Sequence, residues 1–234
     1  MLIAAPAIAG GPTIEKGSAT KMRSTSFMSV ALAATLSACS VLTPEMQPLP
    51  VAATADGTSQ ADLTRNWWQW AASFDSASSP VADRTGERCG NGQSGAVWFL
   101  AGTYGSSAVH RTCRMPAGKQ LFFPLINYVV MPRYDHSIPC KEARLTAHEI
   151  TDSAMGLFAE LDGRSFTDLA AHRVATTECF NVAARSSGAP DLSPSASDGY
   201  WLLLPPLPAG THHLRFGGSL PSLRQDLEYT LVVE

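Results

Sequence analysis

Apolar positions fall into short runs separated by glycine- and proline-rich turns, a pattern that predicts β-strands. The runs 97–100 and 121–130 are continuous, which suits strands covered on both faces, and Pro124 in the second indicates a bulge or a sheet edge. The run 110–114 between them alternates and returns the chain. Residues 83–127 are therefore predicted to form the central hairpin of a β-sandwich.

Helical spacing is confined to two short segments. Residues 60–74 follow a possible cap at Ser59, and their apolar stripe is formed by Leu63, Trp67, Trp70 and Phe74. Trp68 lies beside this stripe, so the tryptophans could be a sugar-stacking platform or a membrane-interface foot. We favour a helix that lays its indole rings across a sheet. Residues 142–153 predict a second helix.

The remaining runs complete an all-β domain. Strands are expected near 156–161, 172–182, 200–204, 211–217 and 227–233, with an Asp-Gly turn after the first and a loop over 185–198. The predicted fold is a disulfide-braced antiparallel β-sandwich, immunoglobulin-like or jelly-roll-like, with an amino-terminal Trp-rich helix and one short inserted helix. It occupies residues 59–234 as a single domain.

The amino-terminal segment 1–38 is predicted to be a secretion signal. Lys21 and Arg23 precede an apolar run over 27–38, which is too short for a membrane-spanning helix of about 20 residues. Leu36-Ser-Ala-Cys39 resembles the lipobox of bacterial lipoproteins, and that resemblance implies cleavage before Cys39 and a lipid on its sulfur. An ordinary signal peptide or a buried apolar segment is the alternative. Residues 1–21 fit an over-long gene start.

The stretch 39–58 is rich in Pro, Ala, Thr and Ser, so it is predicted to be a tether between membrane and domain. Serine rather than aspartate at position 40 favours the outer membrane over the inner one, facing the periplasm. Composition agrees with an exported β-protein, since charged residues are only 16% of the chain. The net charge of −3 and the lack of a basic stripe argue against a nucleic-acid partner.

Four cysteines remain if Cys39 carries a lipid. An even number in an oxidising compartment predicts two disulfides among Cys89, Cys113, Cys140 and Cys179. Three pairings are possible, and we favour Cys89–Cys113 with Cys140–Cys179 because each closes a loop around a proposed hairpin or helix. No pair has the C-x2-C spacing of a zinc site, so no metal is predicted.

Several motifs point to chemistry that their context does not support. Residues 90–95 match the dinucleotide pattern G-x-G-x-x-G, but they enter a strand rather than a helix, so no cofactor is predicted. His212 and His213 are adjacent on a strand and face opposite sides of it. Asp135-His136 is half of an acid–base pair or, as we favour, a surface loop pair.

One motif string gives a family resemblance. Trp67-Trp-Gln-Trp70, the run 83–102, Arg111-Thr-Cys113, the run 116–127 and later segments such as 208–212 resemble a family of uncharacterised bacterial exported proteins. The resemblance covers nearly all of residues 62–234. It implies secretion and a single domain, and it carries no assigned activity or catalytic residues.

Three functions are compatible with these observations. The first is a non-enzymatic, lipid-anchored module that binds an envelope glycan or protein, with candidate binding residues Trp68, Tyr104, His110, Asp135 and His136. The alternative is an exported hydrolase, whose weak catalytic candidates are Asp83, Glu87, Asp135 and His136, with His110 as another possible partner. A structural role within an envelope complex is the third, and a large exposed apolar patch would favour it. The oligomeric state is left open.

Overall fold

The computed structural model describes residues 46–105, 108–133 and 137–234, which build two β-sheets and two α-helices. In chain order the elements are α1 (Gln60–Ala71), β1 (Val97–Phe99), β2 (Val109–Met115), β3 (Gln120–Val130), α2 (Cys140–Asp152), β4 (Met155–Leu161), β5 (Arg164–Ser165), β6 (Arg173–Ala175), β7 (Ala196–Leu204), β8 (Gly210–Leu220) and β9 (Leu223–Val233). The predicted signal 1–38 and Cys39 lie outside the described residues.

The two sheets have the strand orders β1-β3-β7-β6 and β2-β9-β8-β4-β5. They pack face to face, which confirms a mainly β sandwich with a Trp-rich helix and one inserted helix. The prediction of a purely antiparallel fold is wrong, because β1 runs parallel to β3 and β2 runs parallel to β9. The other strand pairs of the described residues are antiparallel.

The predicted central hairpin over residues 83–127 is also wrong, because β1 and β2 belong to different sheets. The chain leaves β1, crosses to the other sheet as β2, and returns as β3 beside β1 in the same direction. The burial patterns show that the two strands belong to sheets in different environments. β2 alternates between buried and exposed side chains, so one face of its sheet is solvated, whereas β3 is buried over seven consecutive residues.

The hydrophobic core has two parts, one on each face of the four-stranded sheet. Leu121 and Phe123 of β3 pack between the sheets against residues such as Phe216. Phe122 and Trp201 point to the opposite face, where α1 covers them. This second layer explains why the central strands lack alternation, and it confirms that the helix lays its indole rings across a sheet.

Residues 46–58, assigned to the tether from their composition, pack on the domain. The backbone N–H of Leu49 donates to the carbonyl oxygen of Leu203 at 2.8 Å, and Ala55 is fully buried beside α1. The side chain of Gln60 donates to the carbonyl oxygen of Pro50 at 2.8 Å. The folded part therefore begins before Ser59.

Both predicted disulfides are present, in the pairing Cys89–Cys113 and Cys140–Cys179. The first fastens the loop before β1 along the free edge of β2. The backbone N–H of Thr112 donates to the carbonyl oxygen of Thr85 at 2.8 Å on this edge. Gly86 is required here, since a Cβ would lie 2.3 Å from the carbonyl oxygen of Thr112.

Several smaller predictions differ from the structure in their bounds. The expected strand over 172–182 is reduced to β6, which follows a 3₁₀ helix at Leu169–His172. The expected loop over 185–198 ends earlier, where β7 begins at Ala196. The Asp162-Gly163 turn joins β4 to β5 as expected, with positive φ at both residues. Within the described ranges, no helix has the length and apolarity needed to cross a membrane.

Candidate functional site

The hydrolase candidates Asp83 and Glu87 lie in the loop before β1. The carboxylate of Asp83 is buried and accepts the backbone N–H groups of Thr85 at 2.8 Å and Arg88 at 2.9 Å. Burial raises the pKa of Asp83, but these hydrogen bonds outweigh it and hold the pKa below its ordinary value. Asp83 is therefore an ionised carboxylate that shapes its own loop, and Glu87 is exposed beside it.

His110 lies elsewhere, on the solvated face of the five-stranded sheet. Its ring is 3.9 Å from the carboxylate of Glu228 and 3.4 Å from the hydroxyl of Thr230. The depression that it lines includes neither Asp83 nor Glu87. Asp135 and His136 lie outside the described residues. The described hydrolase candidates thus do not line one depression.

Trp68 and Tyr104, two predicted binding residues far apart in sequence, line the same pocket. We call it the aromatic pocket and define it by Trp68, Val81, Tyr104, Asn127, Met131 and Leu192. Its volume is about 420 Å³, within the range of pockets that hold small ligands. Tyr104 and Met131 are the exposed members at its rim, with 68% and 38% of their surface accessible.

Helix α1 supplies one wall of the aromatic pocket. The helix begins after Ser59, whose hydroxyl accepts the backbone N–H of Asp62 at 3.1 Å as an N-cap. Trp67 is buried and donates its indole N–H to the carbonyl oxygen of Leu100 at 2.9 Å. Trp68 donates to the hydroxyl of Ser197 at 2.7 Å. With both indole N–H groups occupied, the helix offers aromatic surface rather than hydrogen-bond donors.

The loop after β1 forms the opposite rim and is fixed by Gln225 on β9. The side chain of Gln225 accepts the backbone N–H of Thr103 at 2.9 Å and donates to its carbonyl oxygen at 2.8 Å. Gln225 is buried and both ends of its amide are bonded. These two hydrogen bonds between Gln225 and Thr103, which we call the clamp, hold the backbone next to Tyr104, while the ring of Tyr104 stays exposed.

A buried arginine holds the wall behind this rim. Arg111 is 1% exposed and donates to the carbonyl oxygens of Val81 and Gly102, each at 3.1 Å. It also donates to the carbonyl oxygen of Asp83 at 2.8 Å and to the hydroxyl of Tyr229 at 2.6 Å. Carbonyl dipoles thus solvate the guanidinium in place of water. Val81 and Gly102 both line the aromatic pocket, so Arg111 positions its wall.

A β-bulge places Asn127 in the pocket. The register of β3 with β7 shifts between Pro124 and Ile126, as the proline in this run predicted. Phe123 lies between the sheets, and simple alternation would place Asn127 on that same face. The inserted residue reverses the alternation, so Asn127 lines the pocket with Trp67 on the face that α1 covers.

Asn127 is buried without being bonded. It is 6% exposed, and its side-chain nitrogen Nδ2 has no hydrogen-bond partner among the described residues. Its register partner on β7 is Gly199, where a Cβ would lie 2.7 Å from the Cβ of Asn127. The space for this amide therefore exists because position 199 has no side chain.

The aromatic pocket is uncharged and adjoins a larger depression. Among its described lining residues there is no Asp, Glu, His, Lys or Arg. The neighbouring depression has a volume of about 1080 Å³ and extends towards α2. The two share Tyr128, Val129, Met131 and Leu192. Together they follow the end of β3.

A second polar region, which we call the charge cluster, consists of His148, Asp152, Arg173 and Asp198. Arg173 donates to Asp198 at 2.9 Å and to Asp152 at 2.6 Å. Asp198 is 1% exposed, and it also accepts the backbone N–H of Gly199 at 2.7 Å and lies 3.1 Å from Nδ1 of His148. Burial lowers the pKa of Arg173, but the two carboxylates outweigh it and raise that pKa.

The histidine–aspartate pair in this cluster is not supported as a catalytic dyad. Arg173 lies 3.0 Å from the same ring nitrogen of His148 and donates to its carbonyl oxygen at 2.9 Å. The nearby hydroxyl of Ser197 already donates to the carbonyl oxygen of Tyr128 and accepts from Trp68. The cluster thus ties α2 to β6 and β7.

Sequence reasoning identified Trp68 and Tyr104 but missed Asn127, Arg173 and Asp198. The only signal for Asn127 in the sequence is a single amide within an apolar strand, three residues after Pro124. No group of three or more metal-ligating side chains converges within residues 46–105, 108–133 and 137–234. Comparisons of the chain with family models, with curated proteins and with solved structures gave no match in any of the three.

Proposed function

We propose that this chain is a lipid-anchored envelope protein that acts as a non-enzymatic binding module for an envelope glycan or protein, with the aromatic pocket as its binding site. The supporting observation is the meeting of Trp68 and Tyr104 around the unbonded amide of Asn127. Aromatic faces with a few polar groups are the usual composition of small-ligand sites. A sugar ring fits because its C–H face stacks on aromatic surface while its polar groups find a donor.

Export and anchoring are the second part of the proposal. The two disulfides support folding in an oxidising compartment. The lipobox-like sequence ending at Cys39 supports a lipid on that residue, in the periplasm and at the outer membrane. The motif string supports membership of the exported family described above. The two packed sheets support an immunoglobulin-like or jelly-roll-like sandwich as the finer description.

The depression beside the aromatic pocket favours an extended ligand. It continues from the shared residues Tyr128 and Met131 towards Ile150 on α2. A single sugar would occupy the aromatic pocket alone. A glycan chain would place further rings along the end of β3, where apolar side chains predominate.

Retention on envelope fractions tests the binding function. The full chain, purified in detergent and immobilised, is expected to retain a glycan or protein fraction of a Gram-negative envelope. Tyr104→Ala is expected to reduce retention, and Met155→Ala is the matched control because Met155 is 63% exposed and lies outside the pocket. Equal retention by the two variants, or no retention by the unaltered chain, would contradict the proposal. Loss of radiolabelled palmitate in Cys39→Ser tests the anchor separately.

A further inference from the structure

We infer that the aromatic pocket selects an N-acetylated sugar and that Asn127 binds the carbonyl oxygen of its acetamido group. This inference rests on the proposed function, because it specifies the ligand class of the same site. It depends on three features of the pocket: one unbonded buried donor, the bonded side chains of Gln225, Trp67 and Trp68 beside it, and the absence of Asp, Glu, His, Lys and Arg among the described lining residues.

The first feature is the donor itself. The Nδ2 atom of Asn127 has no partner among the described residues, although the residue is 94% buried, the complement of its 6% exposure. An unbonded buried amide destabilises the free protein, because it has lost its hydrogen bond to water without gaining another. A ligand that supplies an acceptor removes this cost on binding, so the site discriminates strongly between ligands with and without an acceptor at that point.

The second feature is the state of the neighbouring polar groups. The amide of Gln225 is bonded to Thr103 at both ends, and the indole N–H groups of Trp67 and Trp68 are bonded to Leu100 and Ser197. These three side chains therefore do not compete with the Asn127 donor for a ligand. A ligand group that combines one acceptor with an apolar end fits this arrangement.

The third feature is charge. With no Asp, Glu, His, Lys or Arg among the described lining residues, no ion pair compensates the desolvation of a charged ligand. A free amino sugar or a sugar acid would lose its hydration without gaining an ion pair. An acetamido group is neutral, its carbonyl oxygen accepts one hydrogen bond, and its methyl group fills apolar space next to Val81 or Leu192.

A plain hexose makes a poorer match at the same point. Its hydroxyl group can accept from Asn127, but it has no methyl group to fill the apolar space next to Val81 or Leu192. The pyranose ring is the same in both sugars, so stacking on Trp68 and Tyr104 contributes equally. Discrimination therefore arises at the substituent on the second ring carbon.

Two trisaccharides that differ only in this substituent provide the test. Chitotriose carries acetamido groups where cellotriose carries hydroxyl groups, with the same ring and linkage. In titrations of the full chain, we expect chitotriose to bind about tenfold more tightly, the effect of one net hydrogen bond. In Asn127→Leu, which keeps the volume and removes the donor, both sugars are expected to bind equally. The side-chain amide resonance of Asn127 should shift with chitotriose.

The outcomes separate the inference from the proposed function. Equal affinities in the unaltered chain, or an Asn127→Leu variant that keeps the preference, would overturn the acetamido assignment and leave glycan binding standing. Binding of neither sugar, with retention of an envelope protein alone, would overturn the glycan ligand and this inference together. Tyr104→Ala should weaken both sugars to the same extent, which confirms that they occupy one pocket.

Discussion

The aromatic pocket and the charge cluster lie back to back across the same two strands. Asn127 pairs with Gly199 in the register of β3 and β7, and the next pair is Tyr128 with Asp198. Because successive side chains point to opposite faces, Asn127 enters the pocket while Asp198 enters the cluster. Two neighbouring buried polar residues thus serve two different environments.

The difference between them is hydrogen-bond saturation. Asp198 is bonded to Arg173 and to the backbone of Gly199, and it contacts His148. The Nδ2 atom of Asn127 is bonded to nothing among the described residues. A saturated buried group stabilises the fold but has no capacity left for a ligand. An unsaturated one lowers stability and gains a partner only when something binds.

The largest effect should follow from breaking the charge cluster. Arg173→Met leaves the carboxylate of Asp198 buried without its cation, so the free energy of unfolding should fall by about 3 kcal/mol in urea titrations with the disulfides intact. Arg114→Met is the control, because the Arg114–Glu234 pair is exposed and should contribute less than about 1 kcal/mol. Equal losses in the two variants would show that the cluster is not a structural tie.

A change of opposite sign in the free energy of unfolding is expected for Asn127, on the other face of β3 and β7. Asn127→Leu removes an unbonded buried amide and replaces it with apolar volume, so the free energy of unfolding should rise by about 1 kcal/mol. Urea unfolding measures this change, and glycan binding should fall in the same variant. A loss of stability would mean that Asn127 is already bonded in solution and that the two regions do not differ as described.

A smaller effect is expected at Tyr104, on the rim of the aromatic pocket, where a substitution should change binding but not stability. Tyr104→Ala should weaken glycan binding about fivefold through loss of aromatic contact, while stability changes by less than about 0.5 kcal/mol because the ring is exposed. Calorimetric titration and urea unfolding of the same sample measure both. Comparable damage to stability would indicate that the ring supports the clamp at Thr103 instead of contacting the ligand.

The smallest effect is expected in the pH dependence of stability. The hydrogen bond from Arg173 holds the pKa of Asp152 below its ordinary value, so this stabilisation is present above about pH 4 and is lost as the pH falls through the lowered pKa. Stability should therefore decline in acid, and Asp152→Asn should flatten that part of the curve of stability against pH.

Glycan binding should stay constant from about pH 5 to pH 8, since the described pocket lining has no group that titrates there. A midpoint near pH 6.5 would point to a histidine at the site.

Much of the architecture could be read from the sequence because local patterns carry it. The apolar stripe of α1 and the Asp-Gly turn depend on neighbouring residues, and the continuous run in β3 reflects cover on both faces. The connection of β1 to β2 could not be read in this way. A short apolar run does not specify its partner, and here the partner of β1 is β3, reached through the opposite sheet.

The residues of the candidate site also differ in whether local sequence could identify them. Trp68 and Tyr104 were identified because local sequence carries their signal, as Trp68 lies beside the apolar stripe of a helix and Tyr104 lies in a glycine-rich turn. Asn127 depends on a bulge that reverses the alternation of β3 and on a glycine that is 72 positions later, 127 to 199. Arg173 and Asp198 meet only because β6 and β7 pair. Such contacts are properties of the register and have no local signature.

The loop that the Cys89–Cys113 disulfide fastens along β2 has a further consequence for self-association. An uncovered edge strand presents unpaired N–H and C=O groups that can template pairing with another chain. Here the backbone N–H of Thr112 donates to the carbonyl oxygen of Thr85, and the nearby disulfide holds the loop in place. We expect the β2 edge to be more open to pairing with other chains before that bond forms. Oxidation of these two cysteines should therefore protect the folding chain against strand-to-strand aggregation.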